Sequence, residues 1–139
     1  EFSKPTNASN CAIQIQQNFI QRNKIHAKND RIQIRIGLHM GDLVVKGDDL
    51  LGNTVNLGSR IESAAPVDGI LISKPVFDSI QEDTKYFTKE IGFVKLKNIK
   101  DPCQLYKLYL DQLSFTAQSE NDLEKETLDR GVQIIDMEN

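Results

Sequence analysis

Near the start of the chain Ala8, Cys11, Ala12, Ile15, Phe19 and Ile20 recur at helical spacing with Asn and Gln between them, which predicts an amphipathic helix from about Pro5 to Lys24. The period then shortens to two. Ile32, Ile34 and Ile36 alternate with polar or charged residues across Arg31 to Leu38, the pattern of a strand with one buried face. Leu43-Val44-Val45 reads as a second strand, and its short connection to the first predicts an antiparallel pair. From Gly52 to Ala64 the pattern is helical again, with Val55, Gly58, Ile61 and Ala65 on one side, until Ala65-Pro66 ends it. Gly69-Ile70-Leu71-Ile72 predicts a short buried strand, and Ser73-Lys74-Pro75 a helix start with Ser as cap. Two alternating stretches between about Tyr86 and Leu110, around the turn chemistry of Asn98 to Pro102, predict a closing hairpin. Beyond Leu110 the chain is polar and acidic with only Val132, Ile134 and Ile135 as late apolar residues, which predicts a loosely held helix or a disordered tail over 111–139. Helices alternating with a largely antiparallel set of strands predict an α+β, ferredoxin-like sandwich over 1–110 with helices on one face of the sheet.

The 139 residues suffice for one domain with a real core. A formal charge of -3 offers no general attraction to polyanions, so anion binding has to come from a few placed cations, and nucleic acid is not an expected partner. No apolar run approaches the roughly 20 residues that cross a bilayer, and no basic-then-apolar leader opens the chain. The segment is expected to be cytosolic without membrane contact, an anchor on a longer parent being left open. Cys11 and Cys103 stand far apart and outside any CxxC or Cys/His cluster, so buried free thiols are expected and zinc is not.

The chemistry-bearing window is Ile36 to Asp42 followed by Asp49 to Glu62. Asn56 and Arg60 are four apart on a predicted helix, so an amide and a guanidinium face one small volume. A guanidinium is planar, permanently charged and suited to bidentate contact with phosphoryl oxygens, while Asn donates to an ether or hydroxyl oxygen. Together they describe a sugar-phosphate grip. The plainer reading is a solvated helix face with Arg60 paired to Glu62 or Glu120, and spacing alone does not decide between them.

The whole string resembles the class III adenylyl and guanylyl cyclase catalytic domains from Pro5 to Leu110, specifically their C-terminal portion. Gly37-Leu38-His39-Met40-Gly41-Asp42 is similar to the family's Gly-Ile-His-x-Gly-Glu strand end, and Gly52 to Arg60 to its Gly-x-x-Val-Asn-x-x-x-Arg helix. Gly69 to Ser73 matches the strand that follows, and Leu96-Lys97-Asn98 the family's Leu-Lys-Gly hairpin, with Asn98 in place of Gly. The resemblance implies a palm-type fold, incomplete at its N-terminus and closed by a hairpin. It implies that Asn56 positions the ribose and Arg60 stabilises charge on the α-phosphate, the two catalytic roles in this segment. Lys97 corresponds to the lysine that contacts the terminal phosphates. Asp49 corresponds to the acceptor for the adenine amino group, with Asp48 beside it as an alternative. A carboxylate there would face an acceptor on guanine, which favours ATP over GTP. His39 and Asp42 are expected to be structural.

The same resemblance implies two Mg or Mn ions, held by aspartates from strands that would precede Pro5, and no metal ligand within this chain. The segment alone is therefore expected to be inactive, and to dimerise or exchange domains through the sheet edges left uncovered. The leading expectation is an adenylate cyclase that converts ATP to 3′,5′-cyclic AMP and pyrophosphate. The alternative is an inactive pseudo-cyclase that serves as a nucleotide-binding or dimerisation module. An unrelated ferredoxin-like RNA binder is weaker, because strand aromatics and a basic face are lacking.

Overall fold

The computed structural model describes residues 3–41, 44–46, 49–51, 53–117 and 133–135. Helix α1 (Pro5–Asn23) leads through a 3₁₀ turn (Lys28–Asp30) to strand β1 (Ile36–Leu38). A small antiparallel ribbon, β2 (Val44–Lys46) with β3 (Asp49–Leu51), precedes helix α2 (Asn53–Ala64). Strand β4 (Ile70–Ser73), helix α3 (Lys74–Ile80) and the long hairpin β5 (Phe87–Lys95) and β6 (Cys103–Tyr109) follow. Helix α4 (Gln112–Ala117) and strand β7 (Gln133–Ile135) lie in the stretch expected as a tail. The main sheet has the order β1-β4-β6-β5-β7, in which only the β1–β4 pair is parallel.

The expected pairing of β1 with β2 does not occur. β1 lies parallel to β4, Ile36 opposite Ile70 and Leu38 opposite Ile72, and β2 pairs with β3 instead. A parallel pair needs a crossover of a dozen or more residues, and the β2–β3 ribbon and α2 supply it. The first strand is also shorter than its alternation suggests. Over 31–35 the chain bonds to side chains and a turn: Ile32 N–H donates to Asn23 Oδ1 (2.9 Å), Asn23 Nδ2 to Ile32 O (2.7 Å), and Asp68 N–H to Ile34 O (2.9 Å).

The sheet is covered on both faces, not one. β4 is buried at all four positions. Its Leu71 joins Ile61 and Ala64 of α2 and the following Ala65 with Val94 and Leu105, while Ile70 and Ile72 join Ala12 of α1, Val76 and Ile80 of α3, Tyr106 and Leu108. Alternate residues of one strand thus feed two cores, as expected of a strand with no solvent face. The buried stripe of α1 also differs from the one its apolar residues predict. It runs through Ser9, Ala12 and Gln16, while Ala8, Cys11, Ile15, Phe19 and Ile20 are half-buried. Gln16 is fully buried, and its Nε2 donates to Ile34 O (3.1 Å) and Gly69 O (3.0 Å), tying α1 to the entries of both parallel strands. Both carbonyls already accept a backbone N–H, Ile34 O from Asp68 and Gly69 O from Ile36, so the buried amide adds a second donor to each and crosslinks helix and strands as an apolar side chain could not.

At the far end of β1, His39 Nδ1 and Ser73 Oγ share a 2.8 Å hydrogen bond. Ser73 therefore makes no side-chain cap on α3, although it stands at the N-cap position expected. The bond joins the C-terminal ends of the parallel pair, and burial lowers the imidazole pKa below its ordinary value of about 6.5. Both cysteines are free as expected, and half-buried where buried thiols were expected.

Gly37 fixes how closely α2 approaches β1. A Cβ there would lie 2.3 Å from Glu62 N and 2.7 Å from Glu62 Cα, so any side chain forces helix and strand apart. Gly58, on α2 itself, has open space where its Cβ would be. Gly37→Ala is expected to cost about 2 kcal/mol, and Gly58→Ala to stabilise by roughly 0.5–1 kcal/mol through helix propensity. Thermal unfolding checks both, and equal Tm shifts for the two variants would contradict this packing. For His39, a depressed folded pKa means that the unfolded chain binds more protons below about pH 6.5, so stability is retained above that pH and lost as pH falls toward the folded value. The Tm of His39→Gln should accordingly fall less than wild type between about pH 7.5 and 5.5, and parallel profiles would refute the assignment.

Candidate active site

Helix α2 has three flanks with different fates. Leu57 and Ile61 pack into the core beside Leu71 and Leu105. Thr54, Val55 and Gly58 line a cavity of about 630 Å³ that is also bounded by Lys4, Pro5 and Ala8 at the start of α1, by Leu38 to Gly41, and by Val76. Asn56 and Arg60 lie on the remaining flank, roughly 40° apart around the helix axis, and neither lines that cavity. Asn56 is exposed and Arg60 half-buried. Among the described residues no ion pair joins Arg60 to Glu62; the pairs that do form include Lys74–Asp78 and Lys85–Asp83. Glu120, the other suggested partner, lies outside the described residues. A half-buried guanidinium one turn from an exposed amide presents N–H donors suited to phosphoryl and ribose oxygens, and the amide oxygen adds one acceptor.

Lys97 sits in a four-residue turn, Leu96 to Ile99, closed by Ile99 N–H donating to Leu96 O at 3.2 Å. Asn98 occupies the third position at φ 62°, the left-handed conformation that a type II turn requires there. Asn is the side chain that best tolerates this region after Gly, so the departure from the family's Lys-Gly leaves the turn geometry intact. Lys97 is exposed, while Leu96 is buried and Ile99 packs against the cluster that holds Leu57 and Ile61. The turn therefore rests on the same core as the α2 segment that carries Asn56 and Arg60.

The structure thus brings Asn56 and Arg60 together and sets the Lys97 turn on their side of the core. Asp49 lies in β3 with its backbone opposite Lys46, and its side chain, like Asp48 and Asp42, lies outside the described residues. Lys95, which motif reading passes over, bonds to the loop at the end of the Lys97 turn. Its Nζ donates to the carbonyls of Ile99 and Lys100, the latter at 2.9 Å. Nearby, burial pushes the Cys103 thiol pKa up, with Asp101 adding to the rise and Lys95 opposing it. No group of three or more His, Cys, Asp or Glu among the described residues could hold a metal ion. The donors among the described residues therefore do not fit a two-metal centre.

Residues 3–110 match the family model of the adenylate and guanylate cyclase catalytic domain. A receptor-type adenylate cyclase of Trypanosoma congolense is 31% identical over 115 residues, covering 77% of this chain and 14% of that protein. The chain covers 18% of a Rhizobium meliloti (strain 1021) relative, which is 31% identical over 106 residues. It therefore spans less than a fifth of the length of these relatives. Among solved structures, an adenylate/guanylate cyclase/hydrolase from Silicibacter pomeroyi superposes with a TM-score of 0.69 at 32% identity, covering 77% of this chain and 63% of that one. The catalytic core of a rhodopsin-guanylyl cyclase with converted specificity, in complex with ATPαS, gives 0.62 at 28% identity, covering 78% and 59%. With the palm-like sheet, the Gly37 approach and the Asn56–Arg60 flank in place, the chain belongs to the class III adenylate and guanylate cyclase catalytic-domain family.

Proposed function

We propose that this chain supplies the ribose- and phosphate-holding side of an adenylate cyclase site that converts ATP to 3′,5′-cyclic AMP and pyrophosphate. The observation that carries the reading is the flank of α2, where Asn56 and Arg60 lie one turn apart, clear of the core and of Glu62. In the reaction the ribose 3′-oxygen attacks the α-phosphorus, its proton leaves, and the bond from the α-phosphorus to the α–β bridging oxygen breaks to release pyrophosphate. Asn56 holds the ribose so that the 3′-oxygen lies in line. Arg60 donates to α-phosphate oxygens as charge builds on them, an interaction worth most in the transition state. Lys97 meets the terminal phosphates as a flexible point charge. Asp49 accepts from the adenine amino group and so favours ATP over GTP.

Mg or Mn would come from carboxylates outside these residues, so the segment alone is inactive and the complete site belongs to a homodimer or a domain-exchanged dimer. Among the described residues β1 stands at the end of the strand order, and an edge strand there supports such pairing. A well-behaved monomer by analytical ultracentrifugation at micromolar concentration would contradict it.

In the full-length protein with Mn and ATP, Arg60→Ala is expected to lower kcat for cyclic AMP formation about 100-fold or more with a much smaller change in KM. Unchanged kcat would refute the role of Arg60. Nucleotide binding without any cyclic AMP from the wild-type parent would point to the inactive binding module instead.

A further inference from the structure

The loop that presents Lys97 is held from two directions. On the inside, buried Leu96 and half-buried Ile99 pack against the α2 core. On the outside, three successive carbonyls each meet a donor from the base of the hairpin. Lys95 Nζ reaches Ile99 O and, at 2.9 Å, Lys100 O, while Cys103 Sγ lies 3.7 Å from Asp101 O. The backbone of Lys95 is itself fixed, because it is the last residue of β5 and pairs with Gln133 of β7. Its ammonium therefore works from an anchored base. An ammonium carries three donors and no acceptor, and here two of the three are directed at the loop.

We infer that Lys95 is a positioning residue for the cyclase reaction, acting through the Leu96–Ile99 turn to hold Lys97 where it meets the terminal phosphates. The inference rests on the reading of Lys97 given above. Lys95 does not touch the nucleotide, since its ammonium is turned into the loop carbonyls. Loss of those bonds releases the outer side of the turn while Leu96 and Ile99 keep the inner side packed. The fold survives and Lys97 samples more positions, so ground-state and transition-state binding weaken together. That predicts a rise in KM with kcat nearly constant.

The test is steady-state kinetics of the full-length protein with ATP and Mn, on Lys95→Met, Lys95→Arg, Lys97→Ala and the Lys95→Met/Lys97→Ala double variant. Lys95→Met keeps the aliphatic stem and removes the donors. It is expected to raise KM for ATP about 5–10-fold with kcat within about 2-fold, and Lys95→Arg to restore most of the loss because its fork also reaches paired carbonyls. Because Lys95 acts through Lys97, the double variant should match Lys97→Ala within about 2-fold. Full additivity of the two losses would overturn the inference, as would wild-type KM in Lys95→Met when Lys97→Ala raises it. If Lys97→Ala itself leaves KM unchanged, the underlying reading of Lys97 fails, and the inference with it.

Discussion

The backbone contact between Gly37 and Glu62 governs much of this structure. With no side chain at Gly37, the last turn of α2 lies directly on β1, which sets the depth of the crossover joining the two parallel strands. That depth fixes the rotation of α2 about its axis. Leu57 and Ile61 are turned into one core, Thr54, Val55 and Gly58 toward the cavity at the end of β1, and Asn56 and Arg60 to the free flank. A helix seated a few ångströms farther out could roll, and would carry the amide and guanidinium together away from that flank. Placement of the proposed substrate-holding pair is thus a packing consequence first and an electrostatic one second.

Electrostatics matters in a narrower sense. The chain is acidic overall, so the cations near the proposed site act locally and not as a basic surface. They are held in different ways. Arg60 is half-buried on a helix, where its fork geometry is preserved. Lys97 is exposed on a turn, and Lys95 spends its donors on the backbone of that turn. A planar cation on a helix beside the reacting phosphorus and a point charge on a braced turn at the leaving phosphates would suit the different demands of those two positions.

Much of this was legible in the sequence because periodicity and turn chemistry report local structure directly. The helical spacing of α1 and α2, the apolar run of β4, and the turn residues between β5 and β6 all correspond to elements at nearly the expected bounds. What was not legible depends on partners. The alternation of Ile32, Ile34 and Ile36 predicts a strand but neither where it begins nor which strand lies beside it, so its short extent and the parallel pairing of β1 with β4 were missed. Gln16 reads as a solvent-facing amide, and only the tertiary fold brings the Ile34 and Gly69 carbonyls to it. At the site, Asn56 and Arg60 were readable as a pair because one helical turn brings them together. Lys97 was picked out by its resemblance to the family's Leu-Lys-Gly hairpin. Lys95 was not, because a lysine that bonds backbone carbonyls has the same sequence appearance as a solvated one.

The clasp of the Asn23 side chain on Ile32 has a consequence for solubility. Ile32, Ile34 and Ile36 form an alternating β-branched run at the border of the sheet, the kind of segment that adds strands from other molecules when its backbone is unpaired. Asn23 takes both the N–H and the C=O of Ile32, and the Asp68 turn takes the carbonyl of Ile34, so only the three residues of β1 remain as ladder. A single amide at the end of α1 thereby shortens the template on which an amyloid-like stack would grow, and loss of that amide would surface first as aggregation during folding.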